Sequence, residues 1–127
     1  MPTERDIIAF LAQYDEQVSR LAMQARIVLF KILPGIKEEI DLSAKILGYG
    51  YGRKYTETIC TLIPSKKGLK LGLYRAIDLP DPEKILAGTG KVHKYVIIDS
   101  VETIQSTALE NMLKVAYETC MQRMGKE

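Results

Sequence analysis

The sequence predicts a two-layer α+β domain, in which one antiparallel sheet carries the N- and C-terminal helices on a single face. Two changes of hydrophobic period along the chain lead to this prediction. Apolar residues recur at helical spacing up to Pro34, alternate at strand spacing through the middle, and return to helical spacing from about Ser106. Each end segment has one apolar stripe, and a single face of a sheet can bury both stripes. A chain of 127 residues has the length of one domain, here 1–127.

The first helical region begins after Thr3, because Thr3 and Asp6 resemble a capping box with Asp in place of the usual Glu. A break near Tyr14–Asp15 would divide the region into a short and a longer helix, and Pro34-Gly35 closes it. We expect its stripe to pack on the sheet rather than on a partner helix. The stripe consists of Ile7, Leu11, Tyr14, Val18, Leu21, Ala25, Val28 and Ile32.

Strand-forming segments follow Pro34. Residues 40–46 alternate apolar and polar side chains, which predicts one half-buried strand, and the GYGYGRKY segment after it predicts a glycine-rich turn. Thr56–Pro64 and Leu69–Arg75 are rich in β-forming residues, and the SKKG segment between them predicts a hairpin connection. Consecutive strands linked by hairpins form an antiparallel sheet.

The last part of the chain combines a turn, a strand and a helix. The Pro80-Asp81-Pro82 segment predicts a short turn or helix that reaches Leu86, and KVHKYVIID, residues 91–99, predicts a further strand. The final helix is predicted from about Ser106 to Met124, and Gly125 ends it. Its apolar stripe consists of Leu109, Met112, Leu113, Ala116, Cys120 and Met124.

The stretch LPDPEKILAGTGK ends in Gly-Thr-Gly-Lys, which raises the question of a phosphate-binding loop. A Walker-type loop would need a glycine at position 85 and a hydroxyl after the lysine, but Ile85 and Val92 stand there. The dinucleotide fingerprint fails because its third glycine would fall on His93. The segment is therefore not a nucleotide-binding loop of either kind.

A tight turn explains the two glycines of the same stretch. Gly88 and Gly90 permit positive φ where the chain turns from the preceding short segment into a strand. The functional alternative is a small anion nest of backbone amides assisted by Lys91.

The segment from Leu79 to Ile98, LPDPEKILAGTGKVHKYVII, resembles the signature of the bacterial YdhG-like family. Members of that family show a Leu-x-Asp-Pro run, then Leu-x-Gly-x-Gly-Lys, a basic residue and an alternating strand. The segment EEIDLSAKILGYGYGRKY departs from the family's Glu-x-Ile-x-Tyr-Gly-x-Pro pattern, since it has no proline. The resemblance implies an α+β fold and brings no established reaction.

Composition and charge exclude several classes of function. The chain has 18 basic and 16 acidic residues, a balance too even for an extended nucleic-acid or membrane surface. Its apolar runs are shorter than the roughly 20 residues of a membrane-spanning helix, and its N-terminus does not resemble a signal peptide. We therefore expect a cytoplasmic protein without nucleic-acid or membrane partners, either a monomer or a homodimer.

The residue types that carry most enzymatic chemistry are scarce. The single histidine, His93, has no partner motif, so we interpret it as a surface or partly packed side chain. Cys60 and Cys120 are interpreted as buried, reduced thiols, with a disulfide as the alternative. Neither cysteine belongs to a zinc-ligand pattern. We therefore predict no catalytic residues and no cofactor, and we expect a binding module rather than an enzyme.

Iron binding is the first alternative function, because some YdhG-like proteins are described as frataxin-like iron chaperones. A hard-metal site needs several carboxylates on one surface. The chain offers Asp6 near its start and, further along, Glu38, Glu39 and Asp41. Arginines interrupt the acids of the first helical region, so ordinary solvated charges are the favoured interpretation and no metal site is predicted.

The leading hypothesis is a site for a small anionic ligand at a basic and aromatic cluster. Lys94 alternates in phase with Val92, Val96 and Ile98, so this lysine must reach water at the sheet edge, a carboxylate or a bound anion. An enzyme acting on a small anionic substrate is the second alternative function. The predicted ligand-binding residues are Lys94, Lys91, Arg53, Tyr49, Tyr51 and Tyr74.

Overall fold

The computed structural model describes residues 1–52 and 54–125. Helices α1 (Glu4–Leu11) and α2 (Glu16–Ile32) precede the strands, and α3 (Val101–Ile104) and α4 (Thr107–Arg123) follow them. Short 3-10 turns at Tyr55–Glu57 and Ala76–Asp78 flank the central strands. The strands are β1 (Lys37–Asp41), β2 (Ile46–Gly50), β3 (Thr58–Ser65), β4 (Gly68–Leu73) and β5 (Lys94–Ile98).

The five strands form one sheet in the order β1-β2-β3-β4-β5, and every neighbouring pair is antiparallel. Each strand therefore pairs with the next one along the chain. Helix α2 contacts β3 and β4, and α4 contacts β3 and α2, so the long helices cover one face of the sheet. This arrangement confirms the predicted α+β class and the single antiparallel sheet.

The core lies between that face and the helices. Residues directly opposite each other in an antiparallel pair share a face, and the register runs Leu47–Leu62–Leu71–Val96 across four strands. All four side chains are buried, as are most of the predicted helical stripe residues. The residues that alternate with them form the opposite, helix-free face of the sheet.

Several helix boundaries follow the predicted signals. The capping box of α1 is present, since Thr3 Oγ1 accepts from the Asp6 amide and the Asp6 carboxylate accepts from the Thr3 amide. The predicted break near Tyr14–Asp15 separates α1 from α2. Helix α4 begins after Ser106, whose hydroxyl accepts from the Leu109 amide. The short helix α3 was not predicted.

The prediction for residues 40–50 is wrong. Residues 40–46 are not one strand: β1 ends at Asp41, and β2 begins at Ile46 after a four-residue turn. The Asp41 carboxylate stabilises that turn by accepting from the Ser43 hydroxyl and the Ala44 amide, and Lys45 has φ +58°. The first three residues of the predicted glycine-rich turn, 48–50, belong to β2 instead, so a second hairpin extends the sheet.

The segment before β5 also differs from the prediction. The strand begins at Lys94, so Val92 lies before it, and that side chain is 38% exposed instead of sharing the helix-facing side. Gly88 has the expected positive φ of +104°, but Gly90 does not have one. A side chain at Gly90 would clash with the His93 carbonyl oxygen, so close approach of the backbone requires this glycine.

Candidate functional site

Lys94 is the first residue of β5, an edge strand. It lies opposite Leu73 and alternates in phase with the buried Val96 and Ile98, so it belongs to the helix-facing side of the sheet. Its side chain is half-buried. Among the described residues no carboxylate forms an ion pair with its ammonium group, and none of them forms a hydrogen bond with it. Three possible partners were expected for this lysine: water at the sheet edge, a carboxylate or a bound anion. A carboxylate of the described chain is therefore not its partner.

A cavity of about 310 Å³ borders Lys94. It lies across the ends of β3, β4 and β5. Most of the strand residues that border it belong to the helix-free face, and Cys60, Leu73 and Lys94 border it from the helix-facing side. Its floor includes Thr61 and Gly72, which are directly opposite each other, and Tyr95 follows in the same row. Ile46 and Ile63 add apolar walls. The volume is that of a small-molecule site, with few polar groups among apolar ones.

Aromatic side chains form the end of the cavity beside Lys94. The rings of Tyr74 and His93 lie with their centroids 5.1 Å apart. The guanidinium of Arg123 lies over the Tyr74 ring at 4.8 Å, and it also donates to the carbonyl of Thr56 at 3.3 Å. The last turn of α4 thus brings a second cation close to the aromatic end of the cavity.

The backbone just after β4 holds His93 in one orientation. The Arg75 amide donates to Nδ1 of His93 at 3.0 Å, which makes Nδ1 an acceptor and leaves the proton of the neutral ring on Nε2. Arg75 itself has φ +49°, and its guanidinium binds the Asp78 carboxylate at 2.6 Å. A non-glycine residue with this φ is strained, so the connection after β4 is shaped by these two contacts.

The structure brings together only part of the predicted ligand-binding set. Lys94 and Tyr74 border the same cavity, whereas Lys91 is exposed in the preceding turn. Tyr51 donates its hydroxyl to the Pro34 carbonyl at 2.7 Å, and burial raises the pKa of that hydroxyl. Arg53 lies outside the described residues.

Tyr49 lies in a different part of the sheet from Lys94. It is 1% exposed and donates its hydroxyl to Glu38 at 2.5 Å. Arg26 of α2 binds both oxygens of the same carboxylate, with Nε and Nη2 at 2.6 and 2.8 Å. Tyr49 and Glu38 also border a second cavity, of about 330 Å³, at the β1–β2 edge. Tyr49 is thus a partner of a buried ion pair and does not line the cavity beside Lys94.

The four acidic residues considered for iron binding do not form a common site. Three of them bind other groups of the chain, and the fourth lies on a different face. The Asp6 carboxylate caps α1, and the hydrogen bonds from Thr3 lower its pKa. Asp41 accepts hydrogen bonds inside the β1–β2 turn, which lower its pKa. Glu38 is held by Arg26, while Glu39 points to the opposite face of β1. Within residues 1–52 and 54–125 no group of His, Cys, Asp and Glu side chains is arranged to hold a metal ion.

Both cysteines are buried and free, as the sequence predicts. Burial raises the pKa of the Cys60 thiol and of the Cys120 thiol, so both stay protonated and unreactive near neutral pH.

Sequence reasoning missed most of the residues that line the cavity, among them Thr61, His93 and Tyr95. The position of Tyr95 could have been predicted from the sequence, because strand alternation places it on the face of β5 opposite to Lys94. The proximity of His93 to Tyr74 carried none, because it depends on the turn that joins β4 to β5.

Comparisons with known proteins leave the family open. No protein-family model matches the chain, and no curated protein or solved structure is significantly similar to it. None of the helices in the described part of the chain is long and apolar enough to cross a membrane.

Proposed function

We propose that this chain is a non-enzymatic binding module that takes a small anionic ligand in the cavity beside Lys94. The observation that carries the proposal is Lys94, a half-buried residue that borders a cavity of ligand size and whose ammonium group has no ion-pair partner in the described chain. An anion that enters the cavity would supply the charge partner that the described chain does not.

The other walls of the cavity fit the same class of ligand. Tyr74, His93 and Tyr95 present ring faces and polar tips, which suit a ligand with an apolar or aromatic body and one charged group. Arg123, which lies over the Tyr74 ring, adds positive potential at that end. A carboxylate or phosphate on a small planar or aliphatic body is therefore the expected ligand chemistry.

Membership of the YdhG-like family is part of the proposal. Its support is the resemblance of residues 79–98 to the family signature and the α+β fold that the resemblance implies. The family brings no established reaction, which agrees with a binding role.

A thermal-shift screen tests the proposal with inorganic phosphate, nucleoside monophosphates, and aliphatic and aromatic carboxylates as probes. At least one probe should raise the melting temperature in a concentration-dependent manner. The Lys94→Met variant should lose that response, while Lys66→Met, which removes an exposed lysine from the β3–β4 turn, should keep it. A response that survives in Lys94→Met would remove Lys94 from the site, and a screen without any response would contradict the proposed function.

A further inference from the structure

Helix α2 exposes apolar side chains on the side that faces away from the sheet. The helix buries Val18, Leu21, Ala22, Ala25 and Leu29. The opposite side carries a line of residues at helical spacing, here called the outer stripe: Glu16, Arg20, Met23, Ile27, Phe30 and Lys31. Ile27 is 62% exposed and Phe30 is 38% exposed. Since the helix already has a complete buried face, this second apolar surface indicates an interaction site.

The N-terminal half of the same helix borders a groove. The groove has a volume of about 680 Å³ and lies between α1, α2 and α3. Ile8, Met23 and Val101 line it, and Arg20 of the outer stripe also borders it. Ile8 and Val101 are 55% and 39% exposed. One end of the outer stripe is thus an exposed apolar pair, Ile27 and Phe30, although the Phe30 ring also contacts the Tyr49 ring edge-on, with centroids 6.1 Å apart. The other end adjoins an apolar groove.

A two-fold axis across α2 would place the Ile27–Phe30 pair of each copy against the groove of the other copy. We propose that the outer stripe is the interface of a homodimer, in which the α2 helices of two copies pack antiparallel about an axis between Met23 and Gln24. In this register Ile27 of each copy lies opposite Arg20 of the other, beside the groove. Such an interface uses the same surface on both copies, so it closes at two subunits.

Charge complementarity selects this register. Glu16 stands in the first turn of α2 and Lys31 in the last, so the proposed axis sets Glu16 of each copy opposite Lys31 of the other. A shift of the axis by two residues toward the C-terminus would set Arg20 opposite Lys31, which is a repulsive pair. The aliphatic stem of Arg20 can cover Ile27 of the second copy while its guanidinium keeps the 2.6 Å contact with Glu16.

Sedimentation velocity over a concentration series tests the surface. The unmodified chain should shift from monomer to dimer as concentration rises. Ile27→Lys places an ammonium group opposite Arg20 of the other copy and beside the apolar groove, so it should weaken the dimer about tenfold or more. Ile97→Lys is the matched control, because Ile97 is 54% exposed on β5 on the face without helices. A chain that stays monomeric throughout, or a dimer that tolerates Ile27→Lys, overturns the proposal.

Charge reversal tests the register. Glu16→Lys and Lys31→Glu should each weaken the dimer, since each sets like charges opposite each other twice. The double variant Glu16→Lys/Lys31→Glu restores both intermolecular pairs and should bring the dissociation constant back to within about threefold of the starting value. Single variants that weaken the dimer without recovery in the double variant would rule out the antiparallel register, and single variants without effect would rule it out as well.

Discussion

Glu38 and Lys94 occupy comparable positions at opposite edges of the sheet. Each is a charged residue on the helix-facing side of an edge strand, Glu38 on β1 and Lys94 on β5. Glu38 is 1% exposed and its carboxylate is bound by Arg26 and Tyr49. Lys94 is half-buried beside an open cavity and has no ion-pair partner among the described residues.

The comparison separates a structural charge from a charge that we propose is available for a ligand. All partners of the Glu38 carboxylate belong to the chain itself, so this charge is part of the folded state and its loss should appear as lost stability. No carboxylate among the described residues forms an ion pair with the Lys94 ammonium, and the proposed ligand would be its counter-charge. Loss of this ammonium should therefore appear in ligand response and hardly in stability.

Breaking the ion pair at Glu38 should give the largest effect. Arg26→Ala leaves a carboxylate with 2% side-chain exposure without its cation, and we expect a loss of about 3–5 kcal/mol in the free energy of unfolding, measured by urea denaturation. Lys114→Ala, which breaks the exposed Glu110–Lys114 pair, is the control and should cost about 0.5 kcal/mol or less.

The triple variant Arg26→Met/Glu38→Leu/Tyr49→Phe sharpens this test. It removes both charges and also the tyrosine hydroxyl that would otherwise be buried without an acceptor, so it should recover most of the loss. Equal losses for Arg26→Ala and Lys114→Ala would show that the pair at Glu38 behaves as a surface pair.

Removal of the Tyr49 hydroxyl should have the next largest effect. Tyr49→Phe deletes a hydrogen bond to a buried charged group, and a loss of about 1.5–3 kcal/mol is expected in the same urea experiment. Tyr51→Phe is the matched control, because its hydroxyl donates to the neutral carbonyl of Pro34, and it should cost about 1 kcal/mol. If the control loses more than Tyr49→Phe, the charged acceptor does not strengthen the bond at Tyr49.

Stability should decrease in alkali. Burial raises the pKa of Tyr49 above its ordinary value of 10.0 and that of Cys60 above 9.0. The unfolded chain therefore releases these protons first, so their contribution is fully present below pH 9 and is lost as pH rises further, by about 1 kcal/mol per pH unit for each group. Urea titrations between pH 8 and about 11 measure the slope. Tyr49→Phe and Cys60→Ala should each flatten it, and an unchanged slope in both variants would contradict the assignment.

The smallest effect is expected at Lys94. Lys94→Met should change the free energy of unfolding by about 0.5 kcal/mol or less, or raise it, because the ammonium has no ion pair to lose in the described chain. Urea denaturation without added anions measures this, with Lys66→Met as control. A loss above about 2 kcal/mol would show that Lys94 is a structural charge like Glu38, and the contrast between the two edges would disappear.

Much of the fold follows from local sequence signals. The capping box at Thr3, the start of the last helix near Ser106, the break between α1 and α2, and the hairpin between β3 and β4 were all predicted, because each depends on residues a few positions apart. The β1–β2 hairpin was missed because residues 40–46 keep the alternation of one strand through the turn. Only the hydrogen bonds of Asp41 and the positive φ of Lys45 show where the chain reverses.

The candidate site was predictable only in part, for a related reason. The phase of Lys94 with Val96 and Ile98 is a property of one strand, so the sequence by itself determined that this lysine is on the apolar side of β5. Whether a charge on such a side finds a partner depends on segments far apart in the chain. The tertiary structure alone decided that Arg26 and Tyr49 reach Glu38, and that Tyr74 and His93 meet beside Lys94, because helix packing and strand register set those distances.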